Sequence, residues 1–176
     1  MLALDGKLLL LIQEYIRNPV LDGFFRAVTH LGDGGGIWII AALFLLFSEK
    51  SRRASIAVLL ALLLSFLLNN LLLKNIFART RPYEAVEGLL ALIPAPRDYS
   101  FPSGHTASSF AAAISMYWNL PRLFGVCAVV LAVLIALSRL YVGVHYPTDV
   151  LGGAAGGAIA AYMAGYFLKS RRPDVR

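Results

Sequence analysis

The sequence predicts an all-α integral membrane protein: about five transmembrane helices preceded by an N-terminal interfacial amphipathic helix, in a single domain over residues 1–176. Three observations carry that prediction. Hydrophobic residues make up 59% of the chain, charged residues only 15%, and mean hydropathy is +0.70, too apolar for a soluble domain of average composition. The apolar residues gather in runs close to the ~20 residues that a bilayer crossing requires. The cations, finally, divide between the connections and three short polar stretches at the ends of the runs, which argues against a nucleic-acid surface despite a formal charge of +6.

Residues 1–17 hold a short apolar run, Leu8–Ile12, among Asp5, Lys7, Gln13, Glu14 and Arg17. That run is too short to span, and the acidic residues and missing A-x-A site argue against a cleaved signal, so a helix lying in the interface is expected. The first span runs from about Phe24 to Phe47 and is interrupted by Gly32-Asp33-Gly34-Gly35-Gly36. The second runs from Ala54 to about Leu73, between Arg52-Arg53 and Lys74. Residues 83–101 form the one long connection, with Pro94 and Pro96 and an apolar patch, Leu89–Ile93, that suits a lipid guide, a lid or an interfacial anchor. A third, short span runs from near Ser103 to Trp118, and Asn119-Leu120-Pro121 turns the chain into a fourth, Leu123–Leu137, which contains the single cysteine, Cys127. The fifth, Thr148–Leu168, includes Gly152-Gly153-Ala154-Ala155-Gly156-Gly157, small residues that let helix backbones approach closely.

Threading five spans places Glu49–Arg53, Arg122 and the tail Lys169–Arg176 on one side of the membrane and the three polar stretches on the other. The positive-inside bias assigns the first side to the cytoplasm, so the polar stretches and the N-terminal helix face outward.

The polar stretches can be read chemically. Lys74 and Arg81 are seven residues apart, two turns and one face of a helix, so both can point at one anion; a cation at a helix end also snorkels to the interface without further purpose. In Pro102-Ser103-Gly104-His105, the serine and glycine leave free backbone N–H groups at a helix start, where the dipole favours an anion; alternatively Ser103 is only an N-cap. His145 and Asp149 stand four apart, in reach of a carboxylate–imidazole hydrogen bond that would fix the tautomer, unless Asp149 merely caps the last helix. Arg139 precedes them with a fork suited to phosphate oxygens.

The order Lys74, six residues, Arg81-Pro82; Pro102-Ser103-Gly104-His105; Ser138-Arg139, five residues, His145, three residues, Asp149 resembles the complete signature of the type 2 phosphatidic acid phosphatase superfamily. The resemblance implies that His145 attacks phosphorus to form a phosphohistidine while Asp149 holds its ring. It implies that His105 protonates the leaving oxygen and then activates water. Lys74, Arg81, Ser103, Gly104 and Arg139 would bind the phosphate oxygens. No cofactor and no metal are implied, and the expected partners are a membrane lipid phosphate and the bilayer; the oligomeric state is open. Small bacterial members act on undecaprenyl diphosphate, phosphatidylglycerol phosphate, phosphatidic acid or lipid A. An outward-facing site in a bacterial inner membrane fits undecaprenyl diphosphate best. A non-catalytic lipid-phosphate binding or transport protein is the rival of another class.

Overall fold

A computed structural model describes residues 2–170, and every regular element among them is a helix. Helix α1 (Leu2–Leu11) passes through a π-helical turn, Ile12–Ile16, to α2 (Pro19–Leu31), whose first turn Asn18 caps by accepting from the Leu21 amide. A tight turn at Asp33–Gly35, with Gly34 and Gly35 at φ of 58° and 70°, leads into α3 (Gly36–Leu46). Helix α4 (Glu49–Ser65) widens into a π-helical stretch, Phe66–Leu73, and ends as α5 (Lys74–Phe77), followed by the short α6 (Pro82–Ala85). Helices α7 (Gly104–Asn119), α8 (Arg122–Tyr141) and α9 (Pro147–Ser170) complete the bundle.

The α4–α5 run, α8 and α9 are each long and apolar enough to cross a membrane, and α2 with α3 makes a fourth crossing if this pair, bent by 45°, counts as one span. Helix α7, with 16 residues, is roughly 24 Å long and falls short of a ~30 Å hydrocarbon core. It is nevertheless the centre of the bundle, packed against α4, α8 and α9. The side chains left outside are apolar, among them Phe44, Leu63, Leu71, Leu123 and Leu151, as expected of a surface solvated by lipid.

Small residues make the centre possible. Ala61, Ala111, Ala160, Ala161 and Ala164 form one buried cluster, and a Cβ added at Gly157 would stand 2.4 Å from the Ala107 carbonyl oxygen. At Gly153 it would stand 2.5 Å from the Ser103 carbonyl oxygen. The small-residue run of the last span therefore seats α9 directly on the backbone of α7, as its composition predicts. Two interhelical hydrogen bonds add specificity: Trp38 Nε1 donates to Ser109 Oγ (2.9 Å) and Ser55 Oγ donates to the Ala42 carbonyl (2.6 Å). Because the nearest opposing atoms at Gly157, the Ala107 carbonyl oxygen and the Ala111 amide nitrogen, are backbone and cannot rotate away, Gly157→Ala is expected to cost about 1–3 kcal/mol, read as a lower thermal unfolding temperature in detergent.

Two expectations change in detail. The first span is a bent pair rather than one rod, because Gly34 and Gly35 adopt left-handed backbone in its middle. The N-terminal helix is packed on the polar end of the bundle: Leu9 is buried with Leu89 and Tyr146, and Asp5 is buried against Arg79 and Thr148. The Leu89–Ile93 patch serves this packing, with Leu89 under α1 and Leu92 and Ile93 against Tyr141, Val142 and Val144, leaving Leu90 exposed. Residues 171–176 of the basic tail lie outside the described residues.

Candidate active site

The polar stretches meet at one end of the bundle because chain direction alternates. Lys74 lies in the last turn of the α4–α5 run, Gly104 starts α7, Arg139 lies in the last turn of α8 and Asp149 sits in the first turn of α9. Between them lies a cavity of about 530 Å³ lined by Lys74, Arg81, Asp98, Gly104, His105, Arg139 and His145. Its other walls include Ile39 of α3 and Leu59, Leu62, Leu63 and Phe66 of the α4 run, together with the polar Ser65, Asn70 and Ser108. Cations and hydrocarbon thus share one cavity.

Lys74 and Arg81 converge here by a route other than one helix face. Helix α5 stops at Phe77, and Ala78 reverses the chain at φ 43°. Arg81 then enters from the connection, not two turns along the helix. Both cations reach Asp98: Lys74 Nζ donates to Oδ2, and Arg81 donates through Nη2 to Oδ1 (2.5 Å) and through Nε to the Asp98 carbonyl (2.8 Å). Arg81 Nη1 also donates to the Val144 carbonyl (2.8 Å) and stands 3.2 Å from His145 Nε2. Lys74, Arg81 and Arg139 are only 6%, 3% and 2% exposed. Arg139 Nη1 donates to Thr29 Oγ1, while its buried Nε has no partner among the described residues.

Three cations and one carboxylate therefore line the cavity, leaving two positive charges uncompensated. Such an excess inside a membrane protein calls for an anion of about that charge. The carboxylate present, Asp98, is half-exposed, and despite its partial burial the hydrogen bonds from Lys74 and the charges of Lys74 and Arg81 hold its pKa down to about 2. It occupies the very donors a phosphate would use. Removing its charge is expected to help an anion in: Asp98→Asn should lower the inhibition constant of inorganic phosphate several-fold, and an unchanged constant would show that the carboxylate does not compete. With the folded pKa below the usual carboxylate value, this group favours the folded state above about pH 4, and that contribution disappears as pH falls towards 2.

The His145–Asp149 pair is arranged more loosely than four-residue spacing on a helix suggests. His145 lies in the connection before α9, its Nδ1 is 3.5 Å from Asp149 Oδ2, and that nitrogen has no hydrogen-bond partner among the described residues. Asp149 is otherwise occupied. Its Oδ2 accepts from Ser100 Oγ (2.5 Å) and the Tyr146 amide (2.9 Å), and its Oδ1 accepts from Arg79 Nη1 (2.5 Å). Arg79 bridges on to Asp5 at 2.9 Å and stacks 3.9 Å over the Tyr146 ring. Burial, with the charges of Arg81, Arg139 and Lys74, holds the His145 pKa well below 6.5, which keeps the ring neutral at neutral pH.

The remaining expected residues are placed as follows. Gly104 and His105 open α7 at the cavity wall, and a Cβ at Gly104 would meet the Asn70 amide at 3.0 Å. Ser103 is fully buried and is not among the residues lining the cavity; its Oγ caps α7, accepting from the Thr106 amide (3.5 Å) and hydroxyl (3.0 Å). Five residues join the site that motif spacing does not reveal: Asp5, Asp33, Arg79, Asp98 and Ser100. Each reaches the site through a partner distant in sequence, as Asp5 does through Arg79 and Asp33 through His105, and no periodic signal marks such a pairing.

The fold and site define a class: a membrane-embedded helical bundle with an anion pocket holding two imidazoles at one end. The PAP2 superfamily model matches residues 54–173, and the chain belongs to that superfamily. It is 30% identical over 128 residues to an undecaprenyl-diphosphatase of Sulfolobus acidocaldarius, covering 73% of this chain and 62% of that protein's length. It is 31% identical over 162 residues to undecaprenyl-diphosphatase BcrC of Bacillus subtilis, covering 90% and 80% of the two chains. The crystal structure of a transmembrane PAP2-type phosphatidylglycerolphosphate phosphatase from Bacillus subtilis superposes with a TM-score of 0.79 at 28% identity, covering 99% of this chain and 88% of that one.

Proposed function

We propose that the protein is a metal-independent lipid phosphate phosphatase that removes the terminal phosphate of undecaprenyl diphosphate through a phosphohistidine. The observation that carries this reading is the cavity itself, lined by Lys74, Arg81 and Arg139 and also by Ile39, Leu59, Leu62, Leu63 and Phe66. A phosphate headgroup matches the first set and a hydrocarbon tail the second. Exposure of Leu63 and Phe66 on the outside of the bundle gives the tail continuity with the bilayer.

In the proposed reaction, His145 Nε2 attacks phosphorus as the bond to the leaving oxygen breaks, and His105 gives that oxygen a proton. Water, deprotonated by His105, then attacks phosphorus, the N–P bond breaks, and inorganic phosphate leaves. Lys74, Arg81 and Arg139 stabilise the charge that spreads over the equatorial oxygens. Gly104 contributes a backbone approach at the start of α7. Ser103 acts by fixing that helix start. Asp149 orients the His145 ring. Supporting the metal-free reading is the lining chemistry, since side-chain cations stand where a metal would otherwise supply positive charge.

Undecaprenyl diphosphate is favoured over the phosphatidylglycerolphosphate named for the superposed structure by the names of the two relatives reported above and by orientation. Glu49–Arg53 and Arg122 lie at the end of the bundle opposite the cavity, which by the positive-inside bias turns the site to the outer face of a bacterial inner membrane. Phosphate release by purified protein in detergent, from undecaprenyl diphosphate, phosphatidylglycerol phosphate, phosphatidic acid and lipid A, tests the reading. Undecaprenyl diphosphate is expected to have the highest kcat/KM, with vanadate inhibiting and chelators without effect. Preference for another lipid would overturn the substrate assignment, and strict magnesium dependence the metal-free mechanism. Binding without release from any of them would favour a transport or binding protein.

A further inference from the structure

The break in the first span delivers a carboxylate to the second histidine. Gly32 lies so close to the His105 ring that a Cβ there would be 2.8 Å from Cδ2, and the following left-handed turn swings Asp33 back towards α7. Asp33 Oδ1 accepts from His105 Nε2 at 2.9 Å, and Asp33 Oδ2 meets His30 Nδ1 at 2.8 Å. Both Asp33 and His30 are 58% exposed, so the array His30–Asp33–His105 runs from the surface to the cavity wall. None of the three signature stretches includes Asp33 or His30.

We propose that Asp33 is a positioning residue for His105: it holds the ring through Nε2, presents Nδ1 to the leaving oxygen, and steadies the imidazolium that must form there. Resting on the hydrolase reading above, this deepens it by assigning the support of the acid. Arg139 and Lys74 stand near the same ring and disfavour a positive charge on it, and His145 lies across the cavity. A carboxylate bonded to Nε2 works against those cations. The proton on Nδ1 passes to the leaving oxygen as the P–O bond breaks, and Nδ1 recovers one from the water that attacks the phosphohistidine; Nε2–H stays on Asp33 throughout. His30, bonded to the other carboxylate oxygen, fixes the rotamer of Asp33.

A general acid matters most when the leaving group is poor. The test compares kcat/KM, which reports the steps up to release of that group, for p-nitrophenyl phosphate and for a short-chain phosphatidic acid whose leaving group is an alkoxide. Asp33→Asn is expected to reduce kcat/KM about 10- to 100-fold on the phosphatidic acid and less than about 3-fold on p-nitrophenyl phosphate. In a His105→Ala background the same substitution should remove nothing further. Should Asp33→Asn fail to fold, His30→Ala at an exposed site carries the same test, with a smaller loss confined to the phosphatidic acid. Equal losses on both substrates, or full additivity with His105→Ala, would overturn the proposal. No turnover of undecaprenyl diphosphate or of either of these substrates by the parent protein would instead overturn the hydrolase reading, a result distinguishable from both.

Discussion

His145→Ala is expected to lower phosphate release by at least about 10³-fold while leaving the helical bundle intact, because the substitution deletes the nitrogen proposed to attack phosphorus. The ring stands 3.2 Å from an Arg81 Nη and lines the cavity, so the truncated side chain leaves the cationic cradle complete but without a nucleophile. Phosphate binding should therefore survive while turnover does not. The pH profile carries a second signature. Burial and the surrounding cations hold the folded His145 pKa below 6.5, so the acid limb of kcat/KM assigned to this group should lie below pH 6.5. The same shift acts on stability. As pH falls through 6.5 the unfolded chain takes up a proton that folded His145 declines, so its contribution to stability is present above that pH and is lost in acid. Substantial turnover by His145→Ala would remove the nucleophile assignment.

The second large effect is expected at a residue outside the signature. Arg79 is the partner of two buried carboxylates, Asp149 at 2.5 Å and Asp5 at 2.9 Å, and Asp149 is wholly inaccessible to solvent. Arg79→Met preserves much of the bulk over Tyr146 and removes the charge. It leaves Asp149 with Ser100 and the Tyr146 amide but no cation, a loss of about 3–5 kcal/mol when one partner of a buried pair is taken away. Thermal unfolding in detergent should show a large drop. Residual activity in the folded fraction should also fall, because Asp149 is the carboxylate nearest His145 Nδ1. Unchanged stability would mean that the Asp5–Arg79–Asp149 chain contributes nothing net.

Arg79 also shows where sequence reasoning runs out. Helix ends, the convergence of Lys74, Arg81, His105, Arg139 and His145 on one cavity, and the close seat of α9 were all legible, because hydropathy marks the runs and the polar stretches sit at their ends. The path to Arg81 was not. Helical spacing from Lys74 presupposes a continuous helix, and the reversal at Ala78 has no glycine to announce it. Ser103 illustrates a residue type with two uses, and its local bond to Thr106 takes precedence over the cavity. Asp5 falls in the expected interfacial helix, Asp33 in the glycine-rich interruption of the first span and Asp98 in the long connection, and nothing in the sequence assigns any of them a partner. Each acquires its role only when folding brings it to a cation or an imidazole far along the chain.

The central claim, that His145 becomes covalently attached to phosphorus, can be met head on. With p-nitrophenyl phosphate, whose leaving group needs little acid assistance, His105→Ala should slow the water step more than the first, so protein quenched in alkali after brief exposure to substrate should carry phosphate on the peptide containing His145, in an acid-labile and alkali-stable linkage. The account predicts that this phosphopeptide forms at the rate of leaving-group release. Turnover with inversion of configuration at phosphorus, and no phosphate on that peptide at any quench time, would contradict it.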